Sequence, residues 1–311
     1  MRKGKKSDRQ RDSLHLALPA TSANLGPAFD AAALALTLYI KIDARRADAF
    51  SITASGRDPE ICGVVNEQHL ILKTYREVLE CNGKTVIPFA MRIRNDIPIG
   101  KGCGSSAAAR LAGIALANHF GNLRWSDSQI IGEAARREHH PDNASACWMG
   151  GLTVARMRSE ADAQVVCLRP KGKWPLLLAI PDQTLSTDEA RRVLPTHYSR
   201  ADAVANIQNS MLLLAAFMQG RHDLLGDALH DRMHQPYRAS LCPLLPCLQE
   251  LTGKRGILGV ALSGAGPSVI IFLDPLASAQ KTQKLVASQI SQCGLRAELL
   301  LTSIARRGGR G

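Results

Sequence analysis

Pro98-Ile99-Gly100-Lys101-Gly102-Cys103-Gly104-Ser105-Ser106-Ala107-Ala108-Ala109 is the stretch that decides the fold of this chain. It lies between a strand pattern at 88–94 and an alanine-rich segment at 105–119, which predicts a buried helix. Its three glycines let the backbone turn N–H groups inward, and the following helix points the positive end of its dipole at a bound anion. The layout predicts a loop that wraps a polyphosphate, with a capped turn as the alternative.

Neither of the two common phosphate-loop patterns describes this stretch. The chain contains no G-x-x-x-x-G-K-[ST] sequence, and Gly100, Gly102 and Gly104 do not give G-x-G-x-x-G. No acidic residue is clearly placed about 20 residues further on to bind a ribose. The loop alone leaves both interpretations open, so the rest of the chain decides between them.

The loop resembles the P-x-x-x-G-L-G-S-S-A-A motif of the GHMP small-molecule kinases, with Cys103 in place of the usual leucine. The other two motifs of that family occur in the same order, as PATSANLGPAFD at 19–30 and LSGAGPS at 262–268. The three motifs give a resemblance that spans residues 14–303. It implies two lobes, an N-terminal domain like ribosomal protein S5 domain 2 and a ferredoxin-like C-terminal domain.

Three further segments resemble the homoserine kinases within that family. They are HPDN at 140–143 followed by Gly150-Gly151, the stretch STDEARRVLP at 186–195, and QPYR at 235–238. The resemblance implies ATP-dependent phosphorylation of the side-chain hydroxyl of L-homoserine to O-phospho-L-homoserine in threonine biosynthesis, with Mg²⁺ as the metal. The alternatives are a GHMP kinase acting on another small hydroxylated metabolite and a non-catalytic relative that binds ATP.

The resemblance assigns the residues of the predicted site. The nucleotide-binding set is Pro98, Ile99, Gly100, Lys101, Gly102, Cys103, Gly104, Ser105, Ser106, Ala107 and Ala108. The acceptor-binding set is Asn24, Asp30, His140, Asp142, Asn143, Thr187, Arg191, Arg238, Gly264 and Gly266. The catalytic candidates are Lys101, Asp142 and Asn143, with Lys101 as a phosphate contact.

Each of these assignments has a structural alternative. Asn24 suits a turn, Asp30 a helix cap, and a lone arginine is usually a surface charge. In the functional interpretation, a carboxylate holds the ammonium of an amino acid, and Arg191 and Arg238 converge on its carboxylate. That convergence is implied by the resemblance alone.

The metal site is where the chain departs from the family. The family often places an acidic Mg²⁺ ligand ten residues before the aspartate of the H-x-D-N segment, and that position is Gly132 here. Glu133 and Glu138 are the two candidates to replace it. We expect Ser106 and Glu133 to be the ligands.

Composition bounds the other properties of the chain. The formal net charge of +12 comes largely from its two ends, which favours basic tails over a nucleic-acid site, since aromatic residues are only 4% of the total. No apolar run is long enough to span a membrane, and no signal peptide follows the basic N-terminus. These features predict a small-molecule substrate and neither nucleic acid nor membrane as partner. We also expect a cytoplasmic enzyme and a homodimeric assembly.

Strand and helix patterns mix without a strict βαβ rhythm, which predicts an α+β protein. Strand patterns lie at 15–20, 38–44, 88–94, 176–180, 256–262, 268–273 and 296–302, and helix patterns at 105–119, 126–137, 201–219, 224–233 and 276–292. We expect a basic disordered tail at 1–13, an ATP-binding domain at 14–168, a C-terminal domain at 169–304 and a solvated basic tail at 305–311. The eight cysteines match no metal pattern, which predicts reduced, mostly buried thiols.

Overall fold

The computed structural model describes residues 12–309, so most of the predicted N-terminal tail lies outside the described residues. The strands are β1 (Ser13–Ala23), β2 (Ala32–Arg46), β3 (Ser51–Gly56), β4 (Phe89–Asn95), β5 (Leu152–Ser159), β6 (Asp162–Leu168), β7 (Pro175–Ile180), β8 (Ile257–Leu262), β9 (Val269–Leu273) and β10 (Glu298–Ser303). The helices are α1 (Pro59–Cys62), α2 (Leu70–Cys81), α3 (Ser105–Phe120), α4 (Asp127–Glu138), α5 (Asp142–Met149), α6 (Thr187–Arg192), α7 (Arg200–Gln219), α8 (Leu225–Ala228), α9 (Gln235–Arg238), α10 (Leu244–Gln249) and α11 (Ala279–Gln292).

Two sheets confirm the α+β class. The first has six strands in the order β3-β4-β2-β5-β6, with β1 also paired to β2, and all its pairs are antiparallel except β3 with β4. The second has the antiparallel order β10-β7-β9-β8. Strand β9 is buried along its whole length, which fits its uninterrupted apolar sequence VIIFL.

Helix α3 crosses the first sheet and is buried on most of its surface, as its alanine-rich sequence predicts. It begins after Gly104, which has φ +71° and caps the helix without a side chain. Neither Ser105 nor Ser106 caps the helix. Because only glycine adopts this φ without strain, Gly104 turns the loop into the helix while leaving both serine hydroxyls free for other contacts.

One hydrophobic core joins the two sheets. It contains Leu18 and Leu34 from the first sheet and Leu176 and Phe272 from the second. A bridge between Leu36 and Ile304 also links the end of β10 to the middle of β2. The expected domain boundaries at 168 and 304 stay a prediction.

The C-terminal segment is packed against the first lobe, in contrast to the solvated tail expected from its arginines. The N–H of Gly309 donates to Cys147 O at 3.0 Å, and the N–H of Gly151 donates to Ala305 O at 2.7 Å. A Cβ on Gly308 would lie 2.3 Å from Trp148 O. Two small residues let the chain approach α5 closely, which charge counting could not reveal. Residues 310 and 311 lie outside the described residues.

The cysteines are not all reduced thiols. Cys247 and Cys293 form a disulfide with Cα atoms 6.4 Å apart, because α10 packs beside α11. The six other cysteines are free, and four of them are buried. A separation of 46 residues gives no sequence signal for this pairing. Within residues 12–309, no helix is both long and apolar enough to cross a bilayer.

Candidate active site

A cavity of about 100 Å³ lies where the phosphate loop, the loop after β1, the start of α5 and the loop after β8 meet. Its lining residues are Asn24, Phe29, Asp30, Gly100, Gly102, Gly104, Ser105, Ser106, Glu138, His140, Asp142, Asn143, Leu185, Thr187, Arg191, Arg238, Gly264, Ala265 and Gly266. The fold thus brings all ten residues of the expected acceptor-binding set to one cavity. Phe29 and Leu185 join them without having been predicted, and Glu138, one of the two candidates for the acidic metal ligand, lines the cavity as well.

The phosphate loop is held open by three glycines with positive φ. Gly100, Gly102 and Gly104 have φ values of +68°, +74° and +71°, so their N–H groups turn to one side. Neither Gly102 nor Gly104 has room for a side chain. A Cβ on Gly104 would lie 1.9 Å from Thr21 Oγ1, and one on Gly102 would lie 2.3 Å from Ser263 O. The loop is therefore a cradle for an anion, packed against both lobes.

Lys101 does not point into this cradle. Its ammonium group donates to the carbonyl oxygens of Pro181 and Gln183, each at 2.9 Å, and to that of Asp182. The three contacts use all three N–H donors of the side chain. In this structure Lys101 is a clamp between the loop and the segment after β7, and its expected phosphate contact stays a prediction.

Not every member of the expected nucleotide-binding set lines a cavity. Pro98 is buried, and Cys103 and Ala107 are fully buried in the protein interior. Burial raises the pKa of the Cys103 thiol to about 12, so it is inert at neutral pH. These three residues pack on the interior side of the loop, so their side chains do not face either cavity.

The loop after β1 presents Asn24 and Asp30 in strained backbone conformations. Asn24 has φ +71° and Asp30 has φ +54°, both in the left-handed region that side chains seldom adopt. The side chain of Asn24 fixes the loop: its Nδ2 donates to Gly264 O at 2.8 Å and its Oδ1 accepts from the N–H of Asp30 at 3.0 Å. Asn24 therefore positions the carboxylate of Asp30 and ties it to the loop after β8.

At the start of α5, His140, Asp142 and Asn143 form one hydrogen-bonded cluster. Asp142 Oδ1 accepts from His140 Nδ1 and from the N–H of Asn143, both at 2.5 Å. Thr21 Oγ1 donates to Asn143 Oδ1, also at 2.5 Å. Both bonds to Asp142 use Oδ1, so within residues 12–309 Oδ2 is left for a ligand.

The charge of this cluster depends on Asp142. Burial by itself would lower the pKa of His140, but the charge and hydrogen bond of Asp142 outweigh it, so the pKa of His140 is raised from its usual value. Asp30, His140 and Asp142 bring three possible ligand atoms within 4.8 Å of one another. The cluster can hold a cationic group or orient a hydroxyl.

Two arginines lie on the other side of the cavity, as the acceptor-clamp hypothesis requires. Arg191 Nη2 donates to Asp30 Oδ1 at 2.7 Å. Arg238 is 1% exposed, and its Nε donates to Ala190 O at 2.9 Å. Both guanidinium groups lie over the ring of Phe29, at 5.4 Å and 5.3 Å from its centre.

Arg238 is an unusual buried cation. Burial and then the charge of Arg191 lower its pKa to about 10, so it stays charged at neutral pH at a cost in desolvation. Its Nη1 donates to His234 Nδ1 at 3.2 Å, and His234 Nε2 donates to Gly26 O at 2.8 Å. Burial lowers the pKa of His234 and keeps it neutral. Among the described residues Nη2 of Arg238 has no partner, so it remains for an anionic ligand.

The acidic partner of Ser106 is Glu138, whereas the expected metal pair was Ser106 with Glu133. Ser106 Oγ donates to Glu138 Oε1 at 2.7 Å, and Arg110 Nε donates to the same oxygen at 2.5 Å. Glu133 instead accepts from Arg136 and Arg137 on its own helix, and these bonds outweigh burial and lower its pKa. A helix rotates 100° per residue, so Glu133 faces away from the cavity while Glu138, at the end of α4, lines it.

A second, apolar cavity of about 480 Å³ adjoins the first. It shares Gly100, Ser105 and Ser106 with the polar cavity, and its apolar wall includes Ile61, Val64, Ile71, Ile93, Ile97 and Ile99. Sequence reasoning missed this cavity, although the exposed apolar side chains of Ile61 and Val64 are unusual beside a charged segment. A flat apolar group bound here would have its polar end at the phosphate loop.

Comparison with known proteins agrees with this geometry. Residues 69–151 match the model of the GHMP kinases N terminal domain, and residues 213–290 match that of the GHMP kinases C terminal domain. A homoserine kinase of Solibacter usitatus is 41% identical over 94% of this chain and 95% of its own. The chain belongs to the GHMP kinase family. The family resemblance of its three motifs is thus confirmed.

Other relatives of this GHMP kinase agree in sequence and fold. A homoserine kinase of Desulfitobacterium hafniense is 35% identical over 94% of this chain and 97% of its own. The crystal structure of homoserine kinase from Cytophaga hutchinsonii superposes with a TM-score of 0.80 over 96% of both chains, at 24% identity. The structural match confirms the two-lobed GHMP kinase fold predicted from the motifs.

Proposed function

We propose that this protein transfers the γ-phosphoryl group of ATP to the side-chain hydroxyl of L-homoserine, giving O-phospho-L-homoserine and ADP. One observation carries the proposal: the polar cavity joins a phosphate cradle to a site with charges of both signs. Arg191 and Arg238 offer cations for a carboxylate, Asp30 offers an anion for an ammonium group, and Asp142 offers an acceptor for a hydroxyl. A zwitterionic amino acid with a side-chain hydroxyl matches this set.

The nucleotide would extend across both cavities. The adenine ring fits the apolar cavity of about 480 Å³, where it replaces water against isoleucine side chains. Gly100, Ser105 and Ser106 belong to both cavities, so the triphosphate would lie over the start of α3. The N-terminus of that helix and the loop amides then stabilise its negative charge.

Catalysis in this arrangement rests on position and charge. The acceptor hydroxyl lies in line with the γ-phosphorus when the arginines hold the carboxylate of the substrate. Oδ2 of Asp142 accepts the hydrogen bond of that hydroxyl and directs its lone pair at the phosphorus. Asn143 lies beside Asp142 in the cavity. Its side chain is held in place by Thr21, whose Oγ1 donates to Asn143 Oδ1 at 2.5 Å.

Ser106 and Glu138 are the residues that would hold Mg²⁺. Hydroxyl and carboxylate oxygens are the ligands this ion prefers, and both residues line the polar cavity. Glu138 Oε2 has no hydrogen-bond partner in the described part of the chain, so it is open to a cation. When bound, Mg²⁺ neutralises charge on the phosphate oxygens.

Replacing each glutamate separately by glutamine distinguishes the two candidate metal ligands. We expect Glu138→Gln to weaken binding of Mn²⁺, used as a paramagnetic probe with a non-hydrolysable ATP analogue, by about 10-fold or more. The matched variant Glu133→Gln should leave that affinity unchanged, because Glu133 is held by two arginines away from the cavity. Electron paramagnetic resonance measures free Mn²⁺ without any turnover. Equal affinities in the two variants would contradict the assignment.

Removing the buried arginine tests the carboxylate clamp. We expect Arg238→Met to raise KM for L-homoserine about 100-fold and leave KM for ATP within about twofold, because two charge-assisted hydrogen bonds contribute about 3 kcal/mol. Steady-state kinetics with 3-aminopropan-1-ol, which lacks the carboxylate, should show little further loss. The exposed Arg232→Met is the control. An equal loss with both acceptors would contradict the clamp.

The reaction is tested by ADP release from Mg·ATP with L-homoserine, and with L-serine, L-threonine and mevalonate in parallel. We expect release with L-homoserine at least about tenfold above the other acceptors. Release with none of them by a folded protein would overturn the proposal and favour a non-catalytic relative that binds ATP. A cytoplasmic location, a homodimeric assembly and the absence of nucleic-acid partners stay predictions.

A further inference from the structure

Three titratable side chains lie buried together behind the acceptor site, and the proposed reaction uses only Arg238 among them directly. Asp231 is 8% exposed, Arg238 is 1% exposed and His234 is fully buried. Burying such groups is costly because each one loses its hydration, so each must find its partners within the protein. The hydrogen-bond partners of His234 therefore decide which state of its ring is stable.

Both ring nitrogens of His234 have partners that fix the state of the imidazole. Nε2 lies 2.8 Å from Gly26 O, and a carbonyl oxygen can only accept a hydrogen bond. Nδ1 lies 3.2 Å from Arg238 Nη1, and a guanidinium nitrogen can only donate one. The ring is therefore neutral, with its proton on Nε2 and its lone pair on Nδ1 directed at Arg238. Burial lowers the pKa of His234, which favours the same neutral form.

His234 connects parts of the acceptor site that come from remote segments of the chain. Through Gly26 O it holds the loop after β1, and its ring stacks on that of Phe29 with the ring centres 5.2 Å apart. Through Nδ1 it holds Arg238, whose Nε donates to Ala190 O of α6. One imidazole thus links the loop after β1 to α9 and, through the guanidinium, to α6.

Asp231 fixes the turn of chain that enters α9. Its Oδ2 accepts from the N–H groups of His234 and Gln235 at 2.9 Å and 2.6 Å, and its Oδ1 accepts from that of Met233 at 2.8 Å. These N–H groups lie at the start of the helix, where no backbone oxygen of the helix can accept from them. Oδ2 also lies 3.5 Å from His234 Nε2, which is longer than the bond from Nε2 to Gly26 O. The carbonyl is therefore the main partner of Nε2.

We propose that His234 is a positioning residue for the carboxylate clamp: as a neutral acceptor it holds the guanidinium of Arg238 so that Nη2 faces the acceptor site. Nε and Nη1 of Arg238 are both occupied, by Ala190 O and His234 Nδ1. Two fixed donors define the plane of this rigid group, so Nη2 meets a carboxylate in one orientation. The inference rests on the proposed function for the identity of the ligand.

Two near-isosteric variants separate the two bonds of the ring. The side-chain oxygen of His234→Asn takes a place near Nδ1 and can still accept from Arg238, whereas the amide nitrogen of His234→Gln lies near Nε2 and keeps the bond to Gly26 O. We expect KM for L-homoserine to rise less than about fivefold in His234→Asn and about 30-fold in His234→Gln, with KM for ATP within about twofold in both. His230→Gln, at an exposed histidine of the same segment, is the matched control. A rise in His234→Asn as large as that in His234→Gln would overturn the role of Nδ1.

A double-variant cycle shows whether His234 acts through Arg238. His234→Leu alone should raise KM for L-homoserine about 30-fold, but in an Arg238→Met background it should add less than about threefold, because the group that it positions is gone. KM for 3-aminopropan-1-ol, which lacks the carboxylate, should change less than about threefold in His234→Leu, whereas general damage to the fold would raise KM for both acceptors. Additive effects in the double variant would overturn the proposal.

Nuclear magnetic resonance tests the same pairing without any turnover. With isotope-labelled histidine in the full-length protein, the ring of His234 should show a protonated Nε2 and an unprotonated Nδ1 at neutral pH, and His234→Asn identifies its signals by their loss. Arg238→Met should shift the Nδ1 signal, because its donor is removed. If L-homoserine gave no ADP release, the proposed function would fail, and this spectrum would still show whether His234 holds Arg238. A protonated Nδ1, or an Nδ1 signal unchanged in Arg238→Met, would overturn the proposal.

Discussion

The variant Gly102→Ala should lose at least about 1,000-fold in kcat/KM. Gly102 has φ +74°, and a Cβ there would lie 2.3 Å from Ser263 O and 2.6 Å from Gly266 O. Both are backbone atoms of the other lobe, so neither can rotate away as a flexible side chain would. The phosphate loop or the loop after β8 must move, and the amides that face the phosphates move with it.

A control separates this contact from ordinary backbone strain. Gly253 has φ +76°, and a Cβ there would meet no atom within 4 Å. Gly253→Ala thus carries the same left-handed strain of about 1–2 kcal/mol without the clash. We expect it to lower the melting temperature slightly and to keep kcat/KM within about twofold. If both variants lost activity equally, backbone strain alone would explain the loss. The close contact of Gly102 with the loop after β8 would then not be needed to explain it.

The variant Asp142→Asn should lower kcat about 1,000-fold while the fold stays intact. Asp142 is 1% exposed and accepts two hydrogen bonds through Oδ1, which the amide oxygen of asparagine can still accept. The substitution removes the negative charge near the transferring phosphoryl group. It also removes the acceptor at Oδ2 that orients the hydroxyl of the substrate. Rapid-quench and steady-state kinetics measure kcat, and thermal unfolding checks the fold. The exposed Asp227→Asn is the matched control.

The same substitution has a second, independent readout at His140. Burial lowers the pKa of this imidazole, and the charge of Asp142 is the main influence that raises it again. In Asp142→Asn burial remains and that charge is gone, so the pKa of His140 should fall, as followed by nuclear magnetic resonance titration. A variant that lost kcat with an unchanged pKa of His140 would contradict the pairing of these two residues.

Several parts of the fold were predictable from local patterns. The strand at 88–94, the loop and the helix at 105–119 are present almost as predicted, because a glycine-rich loop between two periodic segments has few alternatives. The helix predicted at 224–233 was wrong: only Leu225–Ala228 is helical, after a 3-10 turn, and the backbone oxygen of His230 instead accepts a hydrogen bond from Asn209 of α7. Strand β3 and helix α2 were missed, although the buried Ile71, Tyr75 and Val78 of α2 follow the spacing that is typical of an amphipathic helix.

The sequence by itself determined the family and the two-lobed α+β fold, because three motifs carry backbone requirements that little else satisfies, and it predicted ten residues that line one cavity. Tertiary structure alone decided which candidate side chains face that cavity. It turned Lys101 toward three carbonyl groups, placed Glu138 rather than Glu133 beside Ser106, and joined Cys247 to Cys293. The physical reason is that a polar side chain binds the partner that folding brings within about 3 Å. Local sequence patterns do not specify the distances between segments that are remote in the chain.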